Sequence, residues 1–254
     1  MAQFRTPDPL QSVSNCAASR VGGAASVDGV DAADGDRLAE RLAEVRGRIG
    51  DAARDAGRDP AAITTVVVTK FQPLDLVERL AALGVTDFGE SRHPEARDKA
   101  AALPGATWHF IGQLQSNKAR QVARYVDTIH SVDREALIDA LAGWTGTVFL
   151  EIDLTGGAEG RGGAAPDRAE ALAGRILATG ALRLAGVMAV APPGEEPARA
   201  FERLAAVGER VRRVAPGAVA VSAGMSGDYR EAILAGATHL RIGSAITGPR
   251  PMTR

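Results

Sequence analysis

The chain has 254 residues, 45% of them hydrophobic, and a formal net charge of −1. This length and apolar content fit one large α/β domain or two small ones, and a charge near zero offers no attraction to nucleic acid or to an anionic membrane. The single cysteine, Cys16, excludes an intrachain disulfide and any multi-cysteine metal site. No apolar run reaches membrane-spanning length and no charged-then-apolar leader is present, so we expect a cytoplasmic protein.

The first third of the chain leads to a lysine at a strand end. Residues 1–35 are rich in Gly, Ser, Ala, Asp and Pro without periodicity, which predicts a disordered extension. A helical pattern starts at Asp36, and the β-branched run Ile63–Thr69 then predicts a buried strand. That strand ends at Lys70. In α/β folds ligands bind at such strand ends, so Lys70 is either a solvated charge or a reactive amine.

A regular alternation of helices and strands follows Lys70. The helices are predicted over 73–83, 94–103, 114–125, 134–142, 166–179, 197–214 and 229–234, and the strands over 86–88, 108–111, 128–130, 147–154, 184–190, 219–222 and 239–242. Eight strands separated by seven helices predict a single (β/α)8 TIM barrel over residues 36–254. An open doubly wound sheet is the alternative, although no G-x-G-x-x-G follows the first strand.

The loops after the last two predicted strands, S-A-G-M-S-G and R-I-G-S-A, combine glycine with serine. Glycine lets backbone N–H groups approach an anion, serine adds hydroxyl donors and Arg241 adds positive charge, which together predict a phosphate site. Lys70 lies beside it, because strand 1 of a barrel neighbours strand 8. A lysine next to a phosphate suggests a ligand that carries both an aldehyde and a phosphate, and pyridoxal 5′-phosphate fits that outline. Turn glycines and a solvated lysine are the simpler explanation.

Other polar residues in predicted strands allow two explanations each. His109 is either a packed core residue or a base, and the remaining histidines show no spacing for zinc, so no metal is expected. Asp153 in an apolar strand needs either a buried hydrogen bond or a ligand. Glu151 is expected to point the opposite way.

Motifs in the same order from about Asp36 to Arg250 resemble those of the pyridoxal phosphate homeostasis proteins, relatives of the alanine racemase N-terminal barrel. They are V-V-V-T-K-F-Q-P, F-G-E-S, W-H-F-I-G-Q-L-Q-S-N-K, S-A-G-M-S-G-D and R-I-G-S-A-I-T-G. The resemblance implies that Lys70 forms an aldimine with pyridoxal 5′-phosphate and that Arg241 faces the pyridine nitrogen. It places Ser222, Ser226, Gly243 and Ser244 at the phosphate with Met225 beside it, and Asn117 and His109 along the site. Asp153, a further predicted cofactor contact, stands where many relatives carry asparagine.

The resemblance implies a protein that stores pyridoxal 5′-phosphate or hands it to apo-enzymes, without robust catalysis. A guanidinium cannot protonate the pyridine nitrogen, which restrains carbanion chemistry. The alternative is an amino-acid racemase, which needs a second base besides lysine, and only Tyr229 lies near the predicted site. A monomer is expected.

Overall fold

The computed structural model describes residues 28–157 and 162–249, without the side chains of residues 28–36. The strands are β1 (Thr64–Val68), β2 (Asp87–Glu90), β3 (Thr107–Phe110), β4 (Thr128–Val132), β5 (Thr147–Glu151), β6 (Arg183–Met188), β7 (Ala220–Ser222) and β8 (His239–Ile242). The helices are α1 (Asp28–Asp55), α2 (Leu74–Ala82), α3 (His93–Ala102), α4 (Ser116–Val122), α5 (Glu135–Leu141), α6 (Ala169–Ala178), α7 (Pro197–Val214), α8 (Tyr229–Leu234) and α9 (Ser244–Thr247).

The strands form a closed barrel in chain order. Each pairs in parallel with the next, and β8 closes on β1 with Val66 opposite Arg241. This confirms the predicted TIM barrel and rejects the open sheet. Helix α1 begins at Asp28, ahead of the predicted start, and residues 1–27 of the predicted extension lie outside the described residues. Strand β5 ends at Glu151, short of the predicted residue 154, and Ile152 forms an isolated bridge with Ala164 while its N–H still donates to the Met188 carbonyl at 2.8 Å.

The strands are buried on both faces, which explains their nearly continuous apolar runs. Outward residues pack beneath the helices, as Phe88 and Trp108 do with ring centroids 5.3 Å apart. No helix in the described part of the chain is both long and apolar enough to cross a membrane.

The barrel interior is more polar than the layers of branched aliphatic side chains that usually fill a TIM barrel. Val66, Phe149 and Met188 are buried there outside the apolar layer beneath the helices. The buried polar side chains on the same inward positions include His109, His130, Glu151, Ser222 and Arg241. A folded chain keeps such groups inside only when they have partners, so the interior is where a functional site is expected.

Candidate functional site

Lys70 follows β1 at the C-terminal mouth of the barrel and is exposed. Val66 lies opposite the buried Arg241 of β8, so alternation puts Val66 and Val68 on the inward side, and Lys70 follows in the turn after the strand. The chain contains three lysines, Lys70, Lys99 and Lys118. Lys99 is buried in ion pairs, and Lys118 is exposed on α4. Lys70 is therefore the exposed lysine at a strand end, and its role toward a ligand stays a prediction.

Hydrogen bonds on either side of Lys70 hold the turn that carries it. The Thr69 carbonyl accepts a hydrogen bond from the Gln72 backbone N–H at 2.9 Å, and the Phe71 backbone N–H donates to Glu95 Oε1 at 2.6 Å. Phe71 has a φ of 67°, a left-handed conformation that bulky residues rarely adopt. Such a conformation persists only where the surroundings enforce it, so the position of Lys70 is set by its neighbours.

A buried charge cluster on β2 and α3 supplies much of that support. The Lys99 ammonium donates to the Thr69 carbonyl, to Glu90 Oε1 and to Glu95 Oε1, each at 2.7 Å. Thr69 Oγ1 also donates to Glu90 Oε1 at 2.7 Å. Burial raises the pKa of the Glu90 carboxyl, and the bond from Lys99 opposes that shift. The cluster ties α3 to the turn before Lys70.

The loops after β7 and β8 meet beside Lys70. The backbone N–H of Ala245 lies 3.5 Å from Ser226 Oγ, which joins the first turn of α9 to the loop after β7. A Cβ on Gly243 would lie 3.5 Å from the Cβ of Val68, so this loop reaches the end of β1. Gly224 has a φ of 88°, which only glycine adopts readily, and it lets the loop turn sharply after β7. The arrangement offers serine hydroxyls and early helix N–H groups to an anion.

Arg241 lies below these loops in the barrel interior. Its Nη1 donates to Ser222 Oγ at 2.7 Å and its Nη2 donates to the Ala189 carbonyl at 2.9 Å. Burial lowers the pKa of Arg241 to about 10, so the side chain stays charged at neutral pH. Ser222 is fully buried, and its hydroxyl also contacts His130 Nδ1 at 2.8 Å. Ser222 is thus a partner of Arg241, and its predicted role at the phosphate stays a prediction.

Three histidines that are far apart in the sequence meet in the interior. His109 and His130 are joined at 2.9 Å, and the His239 ring lies 6.4 Å from that of His109. His109 also contacts Asp87 Oδ1 at 3.1 Å, near the N-terminal end of the barrel. No group of ligands in the described ranges is arranged to hold a metal ion. His109 is thus hydrogen-bonded to His130 on one side and to Asp87 on the other, and it lies deeper in the barrel than the mouth that carries Lys70.

Glu151 faces the interior, and the expectation that it points away from the site is wrong. Residues two apart on a strand share a face, so Glu151 lies on the side predicted for Asp153. Gln113 Nε2 donates to Glu151 Oε2 at 2.6 Å. Burial raises the pKa of the Glu151 carboxyl to about 7. Sequence reasoning missed this residue, although its place in the inward register of β5 could have found it.

The remaining predicted residues lie around the rim. Asn117 is exposed in the first turn of α4, and Met225 and Ser244 are exposed on the loops after β7 and β8. Asp153 accepts hydrogen bonds from Thr155 and from the Gly157 backbone, so its carboxylate organises its own loop. The assignment of these four residues to a bound cofactor stays a prediction.

Comparison with known proteins gives a consistent result. Residues 40–251 match the family model of the alanine racemase N-terminal domain. A pyridoxal phosphate homeostasis protein of Pseudomonas aeruginosa is 38% identical over 221 residues, which cover 84% of this chain and 96% of that protein. The Escherichia coli protein of the same name is 33% identical over 231 residues, covering 85% and 98%.

A solved structure with a bound ligand has the same architecture. PipY of Synechococcus elongatus with pyridoxal phosphate bound is 30% identical and has a TM-score of 0.72, covering 83% of this chain and all of that one. Alanine racemase of Corynebacterium glutamicum, at 15% identity and a TM-score of 0.66, shares the fold over 84% of this chain and 60% of its own.

Proposed function

The chain belongs to the family of pyridoxal phosphate homeostasis proteins, and on that premise we propose that it holds pyridoxal 5′-phosphate in the barrel mouth with Lys70 as the covalent anchor. The observation that carries the proposal is the convergence of three features at the seam between β8 and β1. An exposed lysine follows β1, serine–glycine loops lie beside it, and a buried arginine lies beneath them. Bound there, the cofactor supplies an aldehyde and an electron-withdrawing ring.

Each part of the site has a distinct task in this proposal. Lys70 provides the amine that condenses with the aldehyde and releases water. Ser226, Gly243 and Ser244 bind the phosphate through hydroxyl and backbone donors, and Met225 covers it. Arg241 faces the ring nitrogen as a permanent donor and leaves that nitrogen unprotonated.

The same residues explain why we propose binding without robust catalysis. Arg241 can give the ring nitrogen a hydrogen bond but no proton, which weakens the ring as an electron sink. Tyr229, the second base that a racemase would need, packs against the hydrophobic core. We further propose that apo-enzymes receive the cofactor and that the protein acts as a monomer in the cytoplasm.

The covalent anchor can be tested directly because there are three lysines to distinguish. Protein loaded with pyridoxal 5′-phosphate is reduced with borohydride, which fixes the C=N bond as a stable amine, and peptides are mapped by mass spectrometry. We expect a yellow parent labelled on Lys70, a colourless Lys70→Ala variant and an unaffected Lys118→Ala control. Yellow colour retained in Lys70→Ala, or label on Lys118, would refute the anchor.

The absence of robust catalysis requires a separate measurement. L-Alanine is incubated with the loaded protein in deuterated water, and the α-deuterium content and configuration are followed. We expect both to stay essentially unchanged over the time in which a racemase reaches equilibrium. Rapid appearance of the D form would favour the racemase.

A further inference from the structure

A continuous line of side chains crosses the barrel interior and ends at Arg241. It starts at Asp87 at the N-terminal end of β2, passes through His109 and His130, and reaches Arg241 through Ser222. The four links measure 3.1, 2.9, 2.8 and 2.7 Å in that order. These five side chains complete the line by themselves.

With a neutral His109, the chemistry of the two ends favours one direction for the protons along the line. A guanidinium can only donate, so Ser222 Oγ accepts from Arg241 and its own proton is available to His130 Nδ1. A neutral His130 then carries its proton on Nε2 and donates it to His109 Nδ1. His109 in turn carries its proton on Nε2 and donates it to the Asp87 carboxylate. The opposite direction would place the lone pair of a neutral His109 against that carboxylate.

Burial and charge support this arrangement. His130 is completely buried, and its burial, together with His109 and Arg241, lowers its pKa well below the usual range. The hydrogen bond from His109 lowers the pKa of Asp87, which keeps it ionised. His239, the third histidine of the interior, has its pKa lowered to about 4 by burial and is neutral as well. A charged group therefore stands at each end of the line, and the buried His130 between them is neutral.

We propose that Asp87, His109 and His130 are positioning residues, which fix Arg241 in one orientation through the hydroxyl of Ser222. The second anchor, from Arg241 Nη2 to the Ala189 carbonyl, leaves the guanidinium little freedom to rotate. Arg241 is thus oriented before any ligand enters, which lowers the cost of binding. The inference rests on the proposed function where it assigns Arg241 to the ring nitrogen of the cofactor.

The proton positions can be measured without any cofactor. Long-range ¹H–¹⁵N NMR on histidine-labelled protein reports the tautomer of each ring. We expect His109 and His130 to be neutral with the proton on Nε2. His93 packs against Tyr125 outside the barrel and gives a reference signal. A His130 that is charged, or that carries its proton on Nδ1, would overturn the proposed direction.

The effect on Arg241 is measured on loaded protein. His130→Phe keeps the stacking on Phe149, whose ring centroid lies 4.4 Å away, but breaks the line. We expect Lys70 to be labelled as in the parent, but the absorption maximum of the bound cofactor to shift. Release of the cofactor should become about tenfold faster, which is the size of effect expected when a hydrogen bond to a charged group is weakened. His130→Asn, which restores an acceptor near Ser222, should recover part of the loss. His93→Phe is the matched control.

The outcomes separate the two proposals. A His130→Phe variant whose spectrum and release rate equal those of the parent would overturn the positioning role. Should that variant fail to fold, Asp87→Asn removes the terminal charge at a half-buried position and is expected to shift the same spectrum. A parent that is never labelled on Lys70 would defeat the proposed function, while the tautomer measurement would still decide the direction of the line.

Discussion

Replacing Lys99 by methionine tests whether the buried charge cluster supports the turn that carries Lys70. The substitution keeps the volume of the side chain but removes the ammonium from Glu90, Glu95 and the Thr69 carbonyl. The side chains of Lys99 and Glu90 are 6% and 1% exposed, so Glu90 would be left as a buried charge without a counterion.

The expected loss follows from that burial. Removing one partner of a buried ion pair costs about 3–5 kcal/mol of unfolding free energy, and in a domain of this size this lowers the melting temperature by roughly 10 °C. The double variant Lys99→Met with Glu90→Gln should recover more than half of the loss, because no uncompensated charge remains. Urea unfolding followed by circular dichroism measures all three free energies.

A control variant and a binding measurement complete the test of the charge cluster. Lys118→Met, at an exposed position on α4, is the control and should change stability by no more than about 0.5 kcal/mol. Lys99→Met should also bind pyridoxal 5′-phosphate more slowly at temperatures where it remains folded. A loss no larger than that of the control, with unchanged binding, would show that the cluster neither stabilises the fold nor supports Lys70.

Two other predictions follow from the barrel interior. Because the folded pKa of Glu151 is raised from its ordinary 4.5 to about 7, the native state binds more protons than the unfolded state in this window, so stability should fall by roughly 3 kcal/mol as pH rises through it. Glu151→Gln should flatten that dependence in urea titrations, and an unchanged slope would contradict the assignment. Gly186→Ala should lower the free energy of unfolding by about 1–3 kcal/mol or more, because the added Cβ would lie 1.7 Å from the Ala220 carbonyl oxygen. Gly143→Ala, where a Cβ would meet no atom within 4 Å, should leave the free energy of unfolding in the same urea titrations nearly unchanged.

The strands and the barrel could be predicted because their signal is local. Apolar β-branched runs such as that before Lys70 end at loops of glycine and polar residues, and their number and alternation with helices indicate the architecture. The loops after β7 and β8 could be located for the same reason. Strand β4 shows the limit, since its register shifts between Ile129 and Val132, and such an irregularity leaves no mark in the residue pattern.

The contacts from His130 to Ser222 and from Arg241 to Ala189 were beyond sequence reasoning because they join parts of the barrel that are distant in the chain. His130 and His239 appear scattered, yet β4 and β8 turn both inward. The residues around Ser222 predict a glycine–serine loop, but nothing in that pattern shows that its inward register buries it beside Arg241. Lys99 lies in a helix rich in alanine and charged residues, which is typical of a solvated surface, and only the folded contacts show that it is buried.

The meeting of Gly243 with Val68 has a consequence for how the barrel stays closed. The seam between β1 and β8 is where the first and last strands, far apart in the chain, must find each other, and such non-local contacts are the slowest to form. A ligand held by Lys70 on one side and by the loop after β8 on the other would act as a removable cross-link over this seam. Loss of the ligand and opening of the barrel would then be linked equilibria, so that bound cofactor would raise the free energy of unfolding.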